Sequence, residues 1–246
     1  MRTIRQFFAA AMLAAGSCAG SGTDPGPDPD ATFLVLFIGN SLTYTNDLPT
    51  MIKALADSAG VERTYVESVA FPNYALEDHW ARGDALTAIR RGGWDFVIMQ
   101  QGPSALEASR TNLLEWVQRF ATEIKGVGAV PAMYAVWPSI DRAFDFDRVI
   151  ESYSLAAQAA GGVVFPAGAA WRAAWRFDPS VPLYGGDGFH PSLEGTYLAA
   201  VTIFGGLYGR SGVGLPARLE VGNATLTIGA ARALLLQRAA DEVNGR

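Results

Sequence analysis

The run FLVLFI at residues 33–38 constrains the fold more than any other stretch of the chain. An unbroken apolar run of this kind does not suit a strand with one wet face. It suits a strand buried on both faces, as in the middle of a parallel sheet. A helical pattern follows, with Met51, Ile52, Leu55 and Ala59 on one face, Asn46 and Asp47 placed to cap its start and Gly60 to stop it. The alternation then recurs. Strand-like runs at 64–69, 95–100, 129–137 and 162–165 are interleaved with helical patterns at 85–91, at 146–160 and across the apolar face of Leu113, Val117, Phe120 and Ile124. Helices at 192–207 and 230–243 complete the chain, with room for a short hairpin within 212–227. Such alternation predicts a parallel sheet of five strands covered by helices on both faces, in one domain and without internal repeats.

The N-terminus reads differently. Arg2 and Arg5 precede an apolar run over residues 7–15, too short to span a bilayer and of the length of a signal-peptide core. Small residues then lead to Cys18, the only cysteine among the 246 residues, so no intramolecular disulfide can form. A lone cysteine there resembles a bacterial lipobox, although Ala15 stands where that pattern usually has Leu. The expectation is export, with Cys18 lipidated to anchor the protein in the cell envelope. The alternative is a plain secretory signal and a periplasmic or secreted protein. Residues 19–31, rich in Gly, Pro and Asp, cannot build a core and read as a stiffened linker. The expected organisation is thus 1–18 signal peptide or lipobox, 19–31 linker and 32–246 folded domain. The net charge of -5, with no basic cluster, gives no reason to expect a nucleic-acid partner.

Sites in open parallel sheets form beyond the carboxyl ends of the strands. The first strand leads into Gly39-Asn40-Ser41-Leu42-Thr43, the third into Gln100-Gln101-Gly102, and the loop near the end of the domain reads Gly186-Asp187-Gly188-Phe189-His190-Pro191. A serine hydroxyl needs a base within hydrogen-bond reach to become a nucleophile. Of the two histidines, His190 has Asp187 three residues upstream, a spacing that lets one turn present both side chains. The carboxylate would fix the imidazole tautomer and stabilise the imidazolium formed during attack. Ser41, His190 and Asp187 therefore supply the parts of an acyl-transfer triad. Taken singly, each of these stretches is more often an ordinary turn.

Together, the Gly-Asn-Ser-x-Thr block at residues 39–43 and the Asp-x-x-His of Asp187 and His190 resemble the first and last blocks of the SGNH (GDSL-type) hydrolase superfamily. The resemblance runs over nearly all of residues 33–207. It implies a three-layer α/β/α sandwich of flavodoxin-like build, a Ser–His–Asp triad, hydrolysis of carboxylic esters, and neither metal nor cofactor. Two middle blocks depart from the family pattern. Asn73 stands where a Gly usually offers its backbone N–H to the oxyanion, and Asn tolerates the left-handed conformation well. Gln100 and Gln101 replace the usual Gly-x-Asn-Asp, and a Gln amide offers the same N–H from one methylene further out. Neighbours on a strand point oppositely, so one of the two is expected at the site. The expected oxyanion donors are thus Ser41, Asn73 and either Gln100 or Gln101. The Gln-Gly pair also resembles carbohydrate acetylesterase branches, which makes an acetylated carbohydrate or another small ester the expected substrate.

Other features have plainer readings. His79 is expected to be structural, packed behind the second block. Asp141, Asp145 and Asp147 read as solvated loop acids, one of them capping a helix, since they lack the Gly and Glu of a calcium loop. Trp137, Trp171, Trp175 and Tyr184 could line a sugar-binding cleft, but Trp171 and Trp175 at helical spacing are more often core. Two rivals stand beside the esterase: a non-catalytic glycan-binding protein on the same fold, and a flavodoxin-like cofactor binder whose first loop cradles a phosphate.

Overall fold

The structure, a computed structural model, describes residues 30–246. The stretch read as a signal peptide, Cys18 and all but the end of the expected linker lie outside the described residues. Strands β1 (Phe33–Gly39), β2 (Thr64–Ala70), β3 (Phe96–Met99), β4 (Val130–Tyr134) and β5 (Val163–Phe165) form one parallel sheet in the order β2-β1-β3-β4-β5. The run at the start of the domain is buried because β1 lies between two strands and under helices on both faces; Val35, Leu36 and Ile38 have no exposed surface.

Helices α1 (Ser41–Tyr44), α2 (Leu48–Ser58), α3 (Leu76–Arg82), α4 (Asp84–Arg90), α5 (Glu107–Gly126), α6 (Phe146–Ala160), α7 (Ala167–Phe177), α8 (Leu193–Tyr208) and α9 (Ala230–Val243) follow in chain order. Helices α2, α7, α8 and α9 pack together as one layer, and α3 to α6 form the other. This is the expected three-layer sandwich. Helix α8 is apolar nearly all round because it sits in the middle of its layer, between α2, α7 and α9. The hairpin expected within 212–227 is present as β6 (Arg218–Val221) and β7 (Ala224–Thr227), packed on α2.

Three local readings change. Strand β4 ends at Tyr134 rather than near 137, because β5 is short and its last pairing is Tyr134 with Phe165. Asp145 is not solvated. It occupies the N-cap position of α6 without capping it; its fully buried carboxylate instead takes Arg142 Nε at 2.9 Å and lies 3.5 Å from Arg148. Among the four aromatics, Trp137 and Trp171 are wholly buried and stacked with centroids 3.6 Å apart, so they are core. Trp175 and Tyr184 are half-buried.

The strand order reverses direction between β1 and β3, and the loops leaving these two strands diverge there. That switch point is where an open α/β sheet offers a crevice, and both Ser41 and Gln101 lie on it.

Candidate active site

The loop that carries Ser41 is assembled from below. Asn40 has extended backbone and caps the single turn of α1, its side chain accepting from the Leu42 amide at 3.1 Å. Beneath it lies Gln100, 1 % exposed, with all its hydrogen-bonding capacity engaged. Its carbonyl accepts from the Asn40 amide at 2.9 Å and the Thr43 hydroxyl at 2.8 Å; its NH₂ donates to Asn40 Oδ1 at 2.9 Å and the Gln101 carbonyl at 2.5 Å. Gly39 is required by this closure, since a Cβ there would stand 2.2 Å from Thr43 Oγ1 and 2.5 Å from Gln100 Oε1. Gln100 is therefore corrected from oxyanion donor to strut: both of its N–H groups are engaged inside the protein. Gln100→Leu, which leaves the Asn40 amide and Thr43 hydroxyl unpaired and buried, is expected to lower stability by about 3–5 kcal/mol. A denaturant midpoint shift at unchanged slope would report it.

Ser41 is the first residue of α1 and is buried but for 9 % of its surface. Its Oγ–H donates to His190 Nε2 at 2.8 Å, and His190 Nδ1–H donates to Asp187 Oδ2 at 2.5 Å. The other carboxylate oxygen accepts the Phe189 and His190 amides at 3.0 and 2.9 Å. The His190 side chain, then these backbone N–H groups, hold the Asp187 carboxyl down at about 2. Ser41, 149 positions from His190 in sequence, thus lies within hydrogen-bond distance of its imidazole.

The loop carrying Asp187 and His190 is fixed from several sides. Gly185 N–H donates to the His190 carbonyl at 2.7 Å, Trp137 Nε1–H to the Phe189 carbonyl at 3.1 Å, and Ile140 N–H to the Gly188 carbonyl at 2.8 Å. Asn46 is a residue that sequence reasoning placed only as a helix cap. Its Nδ2 reaches the Pro191 and Ser192 carbonyls, both at 3.3 Å, and Thr196 Oγ1 at 2.8 Å, tying the segment after Ser41 to the chain just past His190. It does so from a left-handed backbone, φ 55°, which Asn tolerates better than most residues.

Asn73 has φ 61° and stands third in a turn closed by Tyr74 N–H to the Phe71 carbonyl, after Pro72. That is the type II pattern, in which the third residue's own amide takes no part in closure. Asn40 Nδ2 donates to the Tyr74 carbonyl at 3.0 Å and Phe71 N–H to the Gly39 carbonyl at 3.1 Å, so this turn and the Ser41 loop are held together. A cavity of about 430 Å³ lies over Ser41, with Asn73, Gln101, Ser104, Asn112 and Phe189 in its wall. Gln101 is thus the glutamine at the cavity. One of its N–H groups donates to Ser104 Oγ at 3.0 Å, while the other has only a 3.5 Å approach to Asn112. The Leu42 amide is taken by Asn40 Oδ1 and the Thr43 amide by the Asn40 carbonyl, so the loop is not built to cradle a phosphate.

His79 takes the structural place expected of it. It is buried against Phe71 and Tyr74, with Nε2–H donating to the Gly39 carbonyl at 2.8 Å and Nδ1 unpartnered. Burial lowers its pKa, against the opposing pull of Gly39 and Asp78. A lowered folded value means the unfolded chain binds the proton more readily, so stability falls as pH drops below about 6.5. The Tm of His79→Gln, which keeps an N–H but does not titrate here, is expected to decline less between pH 7 and 5 than that of the parent.

A protein from Slackia heliotrinireducens assigned to the SGNH hydrolases is 30% identical to this chain, with a TM-score of 0.58, over 70% of this chain and 97% of its own. The chain belongs to the SGNH hydrolase superfamily. As a member it is a hydrolase of the class that acts on esters. A DUF4886 family protein from Bacteroides uniformis has a TM-score of 0.70 at 21% identity, over 86% of this chain and 94% of its own. An acetyl xylan esterase has a TM-score of 0.56 at 14% identity, over 71% and 100%. At those identities the likeness is one of fold. No protein-family model and no curated protein matches the chain. Among the described residues no cluster of acidic, His or Cys side chains could hold a metal ion.

Proposed function

We propose that this SGNH hydrolase is an exported serine esterase that removes acyl groups, acetyl above all, from hydroxylated substrates such as carbohydrates. The observation that carries the reading is the relay from Ser41 Oγ through both nitrogens of His190 to Asp187, at 2.8 and 2.5 Å. Ser41 Oγ attacks the ester carbonyl carbon while its proton passes to His190 Nε2. The negative charge developing on the carbonyl oxygen meets the amides of Ser41 and Asn73 and the less engaged N–H of Gln101. Preorganised donors of this kind are worth about 10²–10³ in rate each. Collapse breaks the ester C–O bond, His190 returns the proton to the departing alcohol, and a water molecule repeats the sequence to free the acid. Support for a carbohydrate ester comes from the polar side chains set in the cavity wall, Asn73, Gln101, Ser104, Ser109 and Asn112. It comes also from the acetyl xylan esterase among the similar structures. Export rests on the charged start and apolar run of residues 1–18, and anchoring on Cys18.

Labelling with a fluorophosphonate, followed by peptide mass spectrometry, tests the nucleophile. Modification at Ser41 that disappears in His190→Ala is expected. A folded protein that takes no label would favour a glycan-binding role instead. The Asn46 tie predicts a graded result. Asn46→Gly keeps the left-handed backbone but removes the amide, and is expected to lower kcat about 10-fold. Asn46→Asp sets a carboxylate against two carbonyl oxygens and should lower it about 10²-fold, since small misplacements of catalytic groups have effects of that order. Equal, undiminished kcat in both variants would refute the tie.

A further inference from the structure

A second cavity, about 680 Å³, lies across the catalytic loop from the first. Gly186, Asp187 and Gly188 form one of its walls, while the next residue, Phe189, lines the cavity over Ser41. Trp175 and Tyr184 also line it, their rings 5.8 Å apart and tilted by 31°. Trp171 stands edge-on to both rings and Phe146 edge-on to Trp175, so the pair is held from behind by buried side chains. The polar atom of each ring faces inward: Trp175 Nε1–H donates to the Val181 carbonyl at 2.9 Å, and the Tyr184 hydroxyl to the Pro138 carbonyl at 2.6 Å. Ile140, 60 % exposed, stands at the rim.

These features restrict the occupant. The only charged side chain in the lining is the Asp187 carboxylate, so an anion finds no partner. Two immobile aromatic rings without a free donor suit a ring that offers a flat C–H face, with its hydroxyls turned to water and to the backbone of the Gly185–Gly188 turn. The position decides which part of an ester arrives there. His190 protonates the leaving alcohol, so the alcohol portion lies toward the His190 loop and the acyl portion away from it. We propose that this cavity is an accessory subsite that binds a sugar ring of the alcohol portion, at a distance from the esterified ring. The proposal rests on the reading of Ser41 as the nucleophile of a carbohydrate esterase.

Ala143 is exposed, lines this cavity and has no part in the triad, so Ala143→Trp fills the space from the solvent side, and Ala143→Arg does so with a different shape. Kinetics would be compared on p-nitrophenyl acetate and on acetylated β-linked di- and pentasaccharides. The parent is expected to show a KM about 10-fold lower for the pentasaccharide than for the disaccharide, as one stacked ring would supply. Both variants should lose that gain and keep the parent's kinetics on p-nitrophenyl acetate. A chain-length gain that survives in both variants overturns the subsite. Absence of turnover on every ester would instead strike the esterase reading. The subsite is then tested by calorimetry with the unacetylated pentasaccharide and Ser41→Ala: binding that Ala143→Trp removes sustains it, and no binding overturns it.

Discussion

Ser41→Ala is expected to lower turnover of an acetyl ester by about 10⁴–10⁶-fold, with an unfolding midpoint close to that of the parent. Members of a triad act as a unit, so loss of the nucleophile removes nearly everything that the base and acid contribute. What survives is the share due to binding and to the oxyanion donors, about 10³–10⁴ over water. The fold should tolerate the change. Ser41 Oγ donates to His190, and the loop around it is carried by Asn40, Thr43 and Gln100 rather than by the hydroxyl. Parent-like turnover in a purified variant shown by mass spectrometry to carry the substitution would end the serine mechanism.

Asp187→Asn tests a different atom. Asp187 Oδ2 accepts from His190 Nδ1–H, which leaves Nε2 free to take the serine proton. An amide at that position can turn its NH₂ toward Nδ1 and favour the wrong tautomer, so kcat is expected to fall by about 10³–10⁴ while the fold persists. The pH profile separates the two groups. Contacts with His190 and two amides hold Asp187 ionised to about pH 2. Loss of activity on acidification well above that value is therefore not expected to come from protonation of Asp187. The same contacts contribute to stability wherever Asp187 is charged in both states, and that contribution fades as pH falls from about 3.8 toward about 2. An acid limb of activity that coincided with protonation of the Asp187 carboxylate, followed by NMR, would contradict this assignment.

Much of this arrangement could be read from the chain because its causes are local. The first strand shows as an unbroken apolar run since both its edges and both its faces are covered. Asp187 and His190 share one turn, so three residues of spacing suffice to relate them. Asn73 was legible through its tolerance of the conformation it adopts, φ 61°. Features set by distant partners were not. Gln100 and Gln101 follow strand β3, which ends at Met99, and beyond a strand the alternation of faces no longer decides which side chain turns to the crevice. Only the position of Asn40 and Thr43 shows that Gln100 is the one below. Asn46 looked like a cap because its real partners lie about 145–150 positions away. Asp145 looked solvated because the burial created by α6 and its neighbours leaves no mark on the sequence around it. The four aromatics divide two and two for the same reason: Trp137 and Trp171 stack on each other, while Trp175 and Tyr184, behind the same turn of chain, line an open wall.

The stacked tryptophans have a consequence for how the molecule fails. Trp137 grips the Phe189 carbonyl and lies flat on Trp171, whose own Nε1–H points to the Gly195 carbonyl at 3.4 Å, within α8. Active-site loops usually belong to the least stable parts of a protein and open on their own. Here the hydrogen bond from Trp137 joins the loop to the stacked pair, and through it to the packing of α7 on α8, so opening of the loop and global unfolding are expected to be coupled. Inactivation and denaturation are then expected to coincide: activity and tryptophan fluorescence should be lost at the same denaturant concentration, so that a half-active preparation would contain half its molecules intact.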